Sequence, residues 1–405
     1  MDSKIIIEDI ENPFRPGAGH MPPYLAGRDE ETKEFRHLLG QRTILQNLIL
    51  TGLRGVGKTV LLETFRPIAV QQDWLWVGTD MSESSSVSED LIATRLLADL
   101  SVATSLLPAN HSHLRRFGIQ ANVGTLSFDT LRQIFDRVPG LISDKLKAIL
   151  EIAWSAVNKE NRKGLIFAYD EAQNLSDHVS KEQFPLSLLL DVFQSLQRKA
   201  IPIMLVLTGL PTLFPKLVEA RTFAERMFHV MFLRRLSEDA SRQAILIPIQ
   251  NSRCAFVIDD ESVQTITYMS DGYPYFIQFI CREVYDVWIQ KIRSGKKPVV
   301  PTEEIIRKLD TNFFAGRWAR ATDRQRELLT VAATLVGAYS EFTVQELVGR
   351  SKEMLTKSFS SSHANQMLAS LGEAGLVYKD RHGKYLFAVP LLDKFILRQG
   401  MVQHL

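Results

Sequence analysis

The stretch Gly52-Leu53-Arg54-Gly55-Val56-Gly57-Lys58-Thr59 places glycines, a lysine and a hydroxyl at the spacing G-x-x-x-x-G-K-[ST]. Glycines let the backbone turn so that successive N–H groups point at one spot, a cradle suited to phosphate oxygens. A helix starting at Lys58 adds its positive N-terminal end. In such a loop the lysine, Lys58, neutralises the β- and γ-phosphates, and the hydroxyl of Thr59 ligates Mg2+. Gly52, Gly55, Val56, Gly57, Lys58, Thr59 and Val60 are thus the expected ATP contacts. A chance glycine turn is the competing reading, and a strand before the loop and a helix after it argue against that.

A second pattern lies farther on. Leu165-Ile-Phe-Ala-Tyr-Asp170-Glu171 is an apolar strand ending in two carboxylates. At the carboxyl end of a parallel sheet, Asp170 would stand beside the metal with Thr59. Glu171 would then orient and deprotonate the attacking water. Thr208 closes the next buried strand, where its hydroxyl would reach the γ-phosphate or the water. The bland alternative for Thr208 is a β-branched residue that suits a strand.

The elements that must hold these groups alternate between strand and helix. Helices are predicted from near 27–30 to 39, and over 58–65, 89–103, 141–158 and 184–198. Buried strands are predicted over 47–51, 73–79, 164–170 and 203–208. This alternation predicts an α/β fold, a parallel sheet with helices on both faces. The predicted organisation is an extended arm over 1–24 lying on the first domain, a nucleotide-binding core over 25–235, a helical lid over 236–310 and a C-terminal module over 311–405. Residues 117–124 alternate as a hairpin or extended loop would. With His111, His113, Arg115 and Arg116 before them, they read either as a channel-lining loop or as a solvated hairpin.

Composition sets outer limits. Apolar residues make up 45% of the 405 and charged residues 23%, values of a chain able to bury a large core. The net charge of +2 gives no global argument for nucleic acid, so a basic surface would have to be local. Cys254 and Cys281 are too few for a disulfide framework or zinc site and read as buried thiols. No apolar run nears the ~20 residues of a membrane helix. A cytoplasmic protein with no membrane partner is expected.

The glycine loop, the Asp170-Glu171 strand end and Thr208 together resemble the AAA+ ATPases, in the bacterial and archaeal branch near the origin-recognition and STAND-type members. The resemblance implies that Leu25-Ala26-Gly27-Arg28-Asp29-Glu30 contacts adenine through Gly27 and Arg28. It implies that Arg226, with Arg221 second, is an arginine finger acting in trans on a neighbouring subunit of a homo-oligomer. It implies a lid helix opening at Pro274, where this chain has Tyr275 in place of an arginine found in origin-recognition-type members. Hydrolysis slow enough for the nucleotide to act as a switch follows as an expectation. Roles in replication, transposition or phage defence, beside a partner effector protein, are what the resemblance implies.

Residues 319–405 read as three helices and a hairpin, the pattern of a winged helix. Thr343 and Glu346 stand at capping-box spacing, and Gly375 ends the third helix. That helix offers Ser360, Ser361, Ser362, His363, Asn365 and Gln366 but no Lys or Arg, while Lys379, Arg381 and Lys384 lie on the wing. From 310 to 405 there are 12 Lys and Arg against 9 Asp and Glu, so the module is only mildly basic. Phosphate neutralisation carries most DNA affinity, so DNA contact and protein contact both remain open readings.

Overall fold

A computed structural model describes residues 11–17, 19–41, 44–108, 125–252, 257–294, 299–335, 341–381 and 383–402. The expected hairpin at 117–124, the cations before it and Cys254 lie outside the described residues. The chain divides into two compact units. One is Arg28–Gly52 with Lys58–Leu233, and the other is Met1–Gly27, Leu53–Gly57 and Arg234–Leu405.

The first of these is built on five parallel strands: β1 (Asn47–Thr51), β2 (Trp74–Val77), β3 (Gly164–Tyr169), β4 (Ile203–Gly209) and β5 (Phe228–Phe232). Their order is β2-β3-β4-β1-β5. Every residue of β1, β3 and β4 is buried, as continuous Leu, Ile, Val and Phe runs require when helices cover both faces. With β4 between β1 and β3, three strand ends share one edge. Leu50 pairs with Thr208 and Tyr169 with Leu207, so the ends of β1, β3 and β4 stand level. Register therefore decides which side chains meet.

The helix Lys58–Gln71 runs past its expected end near Phe65, with Pro67 inside it. Ile68 and Ala69 beyond the proline are buried, and that packing offsets the lost backbone bond. Phe65 also stacks on Phe35 of the Asp29–Leu39 helix, with ring centroids 4.1 Å apart. The helix Phe128–Arg137 escaped the sequence reading. Its Ser127 cap and its buried Leu131, Ile134 and Phe135 show the period that identifies it. β5 was also missed, because its strand faces are mixed rather than wholly apolar.

The other unit holds helices Glu238–Asn251, Asp260–Ser270, Pro274–Arg293 and Thr302–Leu309, then a π-turn at Asp310–Phe314. After Ala315–Trp318 come helices Asp323–Leu335, Val344–Met354 and Ser361–Glu373. A small antiparallel sheet has β6 (Phe342–Thr343), β7 (Val377–Arg381) and β8 (Lys384–Phe387) in the order β6-β8-β7. A last helix, Leu392–Val402, was not expected; its buried Leu392, Phe395 and Ile396 repeat at helical spacing. The Thr343 capping box forms, with Glu346 N–H donating to Thr343 Oγ1 at 3.1 Å and Thr343 N–H to Glu346 Oε2 at 2.7 Å.

The arm was expected on the sheet domain, but its described residues pack with the lid and C-terminal helices. Phe14 is buried in the apolar cluster formed by the lid and C-terminal helices. Asn12 Nδ2 donates to the Arg282 carbonyl at 3.0 Å and to Asp286 Oδ1 at 2.8 Å. Arg15 N–H meets Gln278 Oε1, and Arg282 Nη1 donates back to the Phe14 carbonyl. A proline- and glycine-rich stretch leaves backbone groups unpaired, and the polar face of the Pro274–Arg293 helix satisfies them.

Candidate site at the carboxyl end of the sheet

The loop after β1 has the backbone that glycine permits. Gly55 and Gly57 have φ of 79° and 92°, where a side chain is strained. Lys58 Nζ donates to the Gly52 carbonyl at 2.9 Å, which folds the lysine back over its own loop.

Asp170 is the hub of the neighbouring strand ends. Thr59 Oγ1 donates to its Oδ2 at 2.5 Å, and Thr208 Oγ1 donates to its Oδ1. The Glu171 N–H adds a third bond, to Oδ1 at 2.7 Å. Asp170 is 5% exposed and Thr208 fully buried, so these bonds form away from bulk water, where charge-assisted hydrogen bonds are strongest. The backbone of Asp170 is fixed as well: its carbonyl accepts from Met81 N–H at 2.9 Å. The structure thus brings Thr59, Asp170 and Thr208 together, in the arrangement the strand order imposes.

Glu171 leaves this cluster because its backbone is left-handed, with φ of 51° and ψ of 34°. A non-glycine residue held there is strained, a feature that gathers at functional sites. Gln173 donates from Nε2 to Glu171 Oε2, while its Oε1 accepts from Leu210 N–H at 3.2 Å. Gln173 thereby ties Glu171 to the end of β4. The sequence reading missed Gln173, and its position two residues after Glu171 was the available signal.

A hard divalent cation fits these donors. Among the described residues no group of three or more His, Cys, Asp or Glu gathers to cage an ion. One carboxylate with one hydroxyl, Asp170 and Thr59, is instead the sparse oxygen set that Mg2+ takes together with substrate phosphates.

The remaining expected residues have surroundings of their own. Arg221 makes two bonds to Asp191, at 2.9 Å and 2.8 Å, and these bonds raise its pKa. An arginine so engaged is a poor finger, and the second choice is set aside. Arg226 is exposed on the short helix Ala224–Met227, and among the described residues it has no ion pair. It stands with Arg198 and Gln194 at a cavity of about 260 Å3. Arg28 is buried and pairs with Glu31 at 3.1 Å; burial lowers its pKa. Gly27 has φ of 60°, and a Cβ there would stand 2.7 Å from the Ala240 Cβ, so only glycine fits. Pro274 opens its helix in the first turn, and the next residue, Tyr275, donates its N–H to the Gly55 carbonyl at 3.1 Å. Cys281 is buried, and burial pushes its thiol pKa up. No helix among the described residues is long and apolar enough to cross a membrane.

Residues 24–212 match the family described as the AAA ATPase domain, and residues 311–396 match one described only as a domain of unknown function. No curated protein matches the chain. A Walker-type ATPase of Pyrococcus abyssi superposes with a TM-score of 0.58 at 14% identity, covering 92% of this chain and 96% of its own. The ORC2 protein of Aeropyrum pernix, in ADPNP-ADP complexes, gives 0.52 at 13% identity, covering 96% and 98%. Its ADP form gives 0.51 at 14% identity, covering 97% and 99%. At such identities the likeness is one of fold. The chain has the α/β fold of these proteins, and the match to the AAA ATPase domain lies in its first half.

Proposed function

We propose that this chain binds ATP with Mg2+ on the Gly52–Thr59 loop, hydrolyses it slowly, and uses nucleotide state to control a DNA- or partner-binding surface. The observation that carries this reading is Asp170, held on one oxygen by Thr59 and on the other by Thr208. Such a carboxylate is fixed in place before any ligand arrives, and preorganised electrostatics is the main source of phosphoryl-transfer catalysis.

Lys58 neutralises the β- and γ-phosphates as the loop N–H groups cradle them. Mg2+, when bound, would neutralise phosphate charge, and Thr59 and Asp170 are the residues that would hold it. Glu171, set apart from Asp170 by its left-handed backbone, orients a water and takes its proton. The water oxygen bonds to the γ-phosphorus as the bond to the β–γ bridging oxygen breaks, which leaves ADP and inorganic phosphate. Gln173 holds Glu171 in place for that step. Arg226 contributes from a neighbouring subunit, a reading supported by its exposure and its lack of an ion-pair partner among the described residues.

The C-terminal module is read as a winged helix. Its Ser361–Glu373 helix exposes Ser361, Ser362, His363, Asn365 and Gln366, all able to reach base edges, and Lys379 is exposed on β7. The absence of Lys and Arg on that helix favours a second reading, a STAND-like switch in which the same surface contacts a protein effector. Binding of the full chain to duplex DNA, titrated with salt with and without ATP, separates the two. Affinity that falls steeply with salt and needs ATP supports DNA control, whereas no binding even at low salt supports the protein-contact switch.

A further inference from the structure

β2 is the outermost strand of the parallel sheet and, among the described residues, pairs with β3 alone. The Asp73 carbonyl accepts from Lys163 N–H at 2.9 Å, and the Thr79 carbonyl accepts from Asp170 N–H at 3.3 Å. Backbone groups alternate along a strand, so the odd-numbered residues turn toward β3 and Trp76 turns its N–H and C=O outward. Charged residues and proline commonly guard such an edge. Trp74-Leu75-Trp76-Val77 is short but contains neither.

A cavity of about 410 Å3 follows this edge. Arg66 and Val70 of the Lys58–Gln71 helix line it, as do Asp99, Val102 and Ala103 of the Glu89–Thr104 helix and Arg162 ahead of β3. The two helices cover opposite faces of β2. Trp76 meets Phe35 edge-on with centroids 6.5 Å apart, and Phe35 stacks on Phe65 of the first helix. Val77 joins the apolar cluster with Leu96, Leu97 and Leu100 of the second. The cavity is thus a groove with a bare strand edge along its floor and a helix on each side.

Its walls have a defined chemistry. Val102 is 83% exposed, on a helix whose other large apolar residues mostly face the core. The Asp99 carboxylate is already engaged, accepting from Arg95 Nε at 2.9 Å. Arg66 and Arg162 are exposed, and among the described residues neither has an ion pair. The uncompensated charge of the groove is therefore positive.

We infer that this edge is a docking site for an extended peptide segment of a partner protein, alternating acidic and apolar residues, which pairs with β2 as a sixth strand. Main-chain hydrogen bonds to the outward groups of Trp76 supply affinity, and alternate side chains supply specificity. Apolar side chains lie against Val102 and Ala103, and carboxylates meet the guanidinium groups of Arg66 and Arg162. A second copy of β2 brings no carboxylate to those arginines, and a free anion brings no backbone to the edge; charge complementarity favours the acidic peptide over both. All these residues lie within the unit Arg28–Gly52 with Lys58–Leu233, and the inference goes beyond the nucleotide reading without depending on it.

Fluorescence anisotropy of the full chain tests it with the labelled peptide Glu-Val-Glu-Val-Glu-Val-Glu, its analogue with every Glu replaced by Lys, and its analogue with Pro at the centre. Wild type should bind the acidic peptide about tenfold or more tightly than either analogue, since one reverses the charge and the other removes a strand N–H. The double variant Arg66→Glu with Arg162→Glu should reverse the preference between the acidic and basic peptides. Arg66→Gln should weaken the acidic peptide several-fold, and it decides the matter if the double variant does not fold. Bound acidic peptide should slow hydrogen exchange of the Trp76 amide. Equal binding of the proline analogue makes the groove an anion site and overturns the inference. Failure to bind the acidic peptide, or affinity indifferent to the folded arginine variants, overturns it as well. Dimerisation that protects the Trp76 amide without peptide makes the edge a self-contact and does the same.

Discussion

The Thr208 hydroxyl donates to Oδ1 of Asp170, across the ends of two neighbouring strands. The pairing of Tyr169 with Leu207 sets these two residues level, so the contact follows from sheet register. Thr208 is buried, and its hydroxyl works on the carboxylate rather than on solvent.

Thr208→Val keeps the shape and removes that donor. Hydrogen bonds to a charged group contribute about 1.5–3 kcal/mol, so kcat for ATP should fall roughly tenfold to a hundredfold. Nucleotide affinity should change much less, because the loop N–H groups and Lys58 are untouched. Thr208→Ser, with the hydroxyl retained, should recover most of the rate. Steady-state kinetics alongside nucleotide titration separates the two parameters; a valine variant with wild-type kcat removes Thr208 from the site.

Much of this site could be read from residue order. The glycine loop, Asp170-Glu171 and Thr208 stand in the sequence as motif ends of apolar runs, and long buried strands announce themselves. What could not be read depended on geometry. The left-handed backbone of Glu171 and the Gln173 bond that holds it are properties of a turn, with no periodic signal. The docking of the arm was misplaced because proline-rich segments carry no pattern that says which surface will satisfy their backbone. Arg221 was a reasonable candidate by spacing alone, and only its bonds to Asp191 show that it is engaged elsewhere.

If Arg226 acts in trans, two inactive variants should repair each other. Arg226→Ala lacks the finger but keeps Glu171, whereas Glu171→Gln keeps the finger. Mixed in equal amounts, they create sites with Glu171 from one subunit and Arg226 from the next. Phosphate release by the mixture should clearly exceed that of either variant alone. A mixture no more active than its components, from a protein shown to assemble, contradicts a trans role.

The Thr343–Glu346 box predicts a pH-dependent stability. The Thr343 side chain first, and its backbone N–H second, hold the Glu346 pKa below its ordinary value of 4.5. A depressed carboxylate pKa stabilises the fold above the unfolded value, and the benefit disappears as pH falls through the folded value. Thr343→Ala should cost about 1 kcal/mol of helix stability near neutral pH. The gap between the variant and wild type should narrow as pH falls below 4.5 and through the lowered folded pKa, where Glu346 becomes protonated. Thermal melts followed by circular dichroism at both pH values measure it, and a gap that widens in acid is the opposite sign.

The most direct test is phosphate release by the full chain with Mg2+ and ATP, for wild type, Lys58→Ala and Glu171→Gln, with nucleotide binding measured in parallel. The account predicts slow release by wild type, loss of both binding and release in Lys58→Ala, and retained binding in Glu171→Gln. Loss of the general base should lower release by Glu171→Gln about a hundredfold or more. Release by Lys58→Ala and Glu171→Gln at the wild-type rate would contradict it.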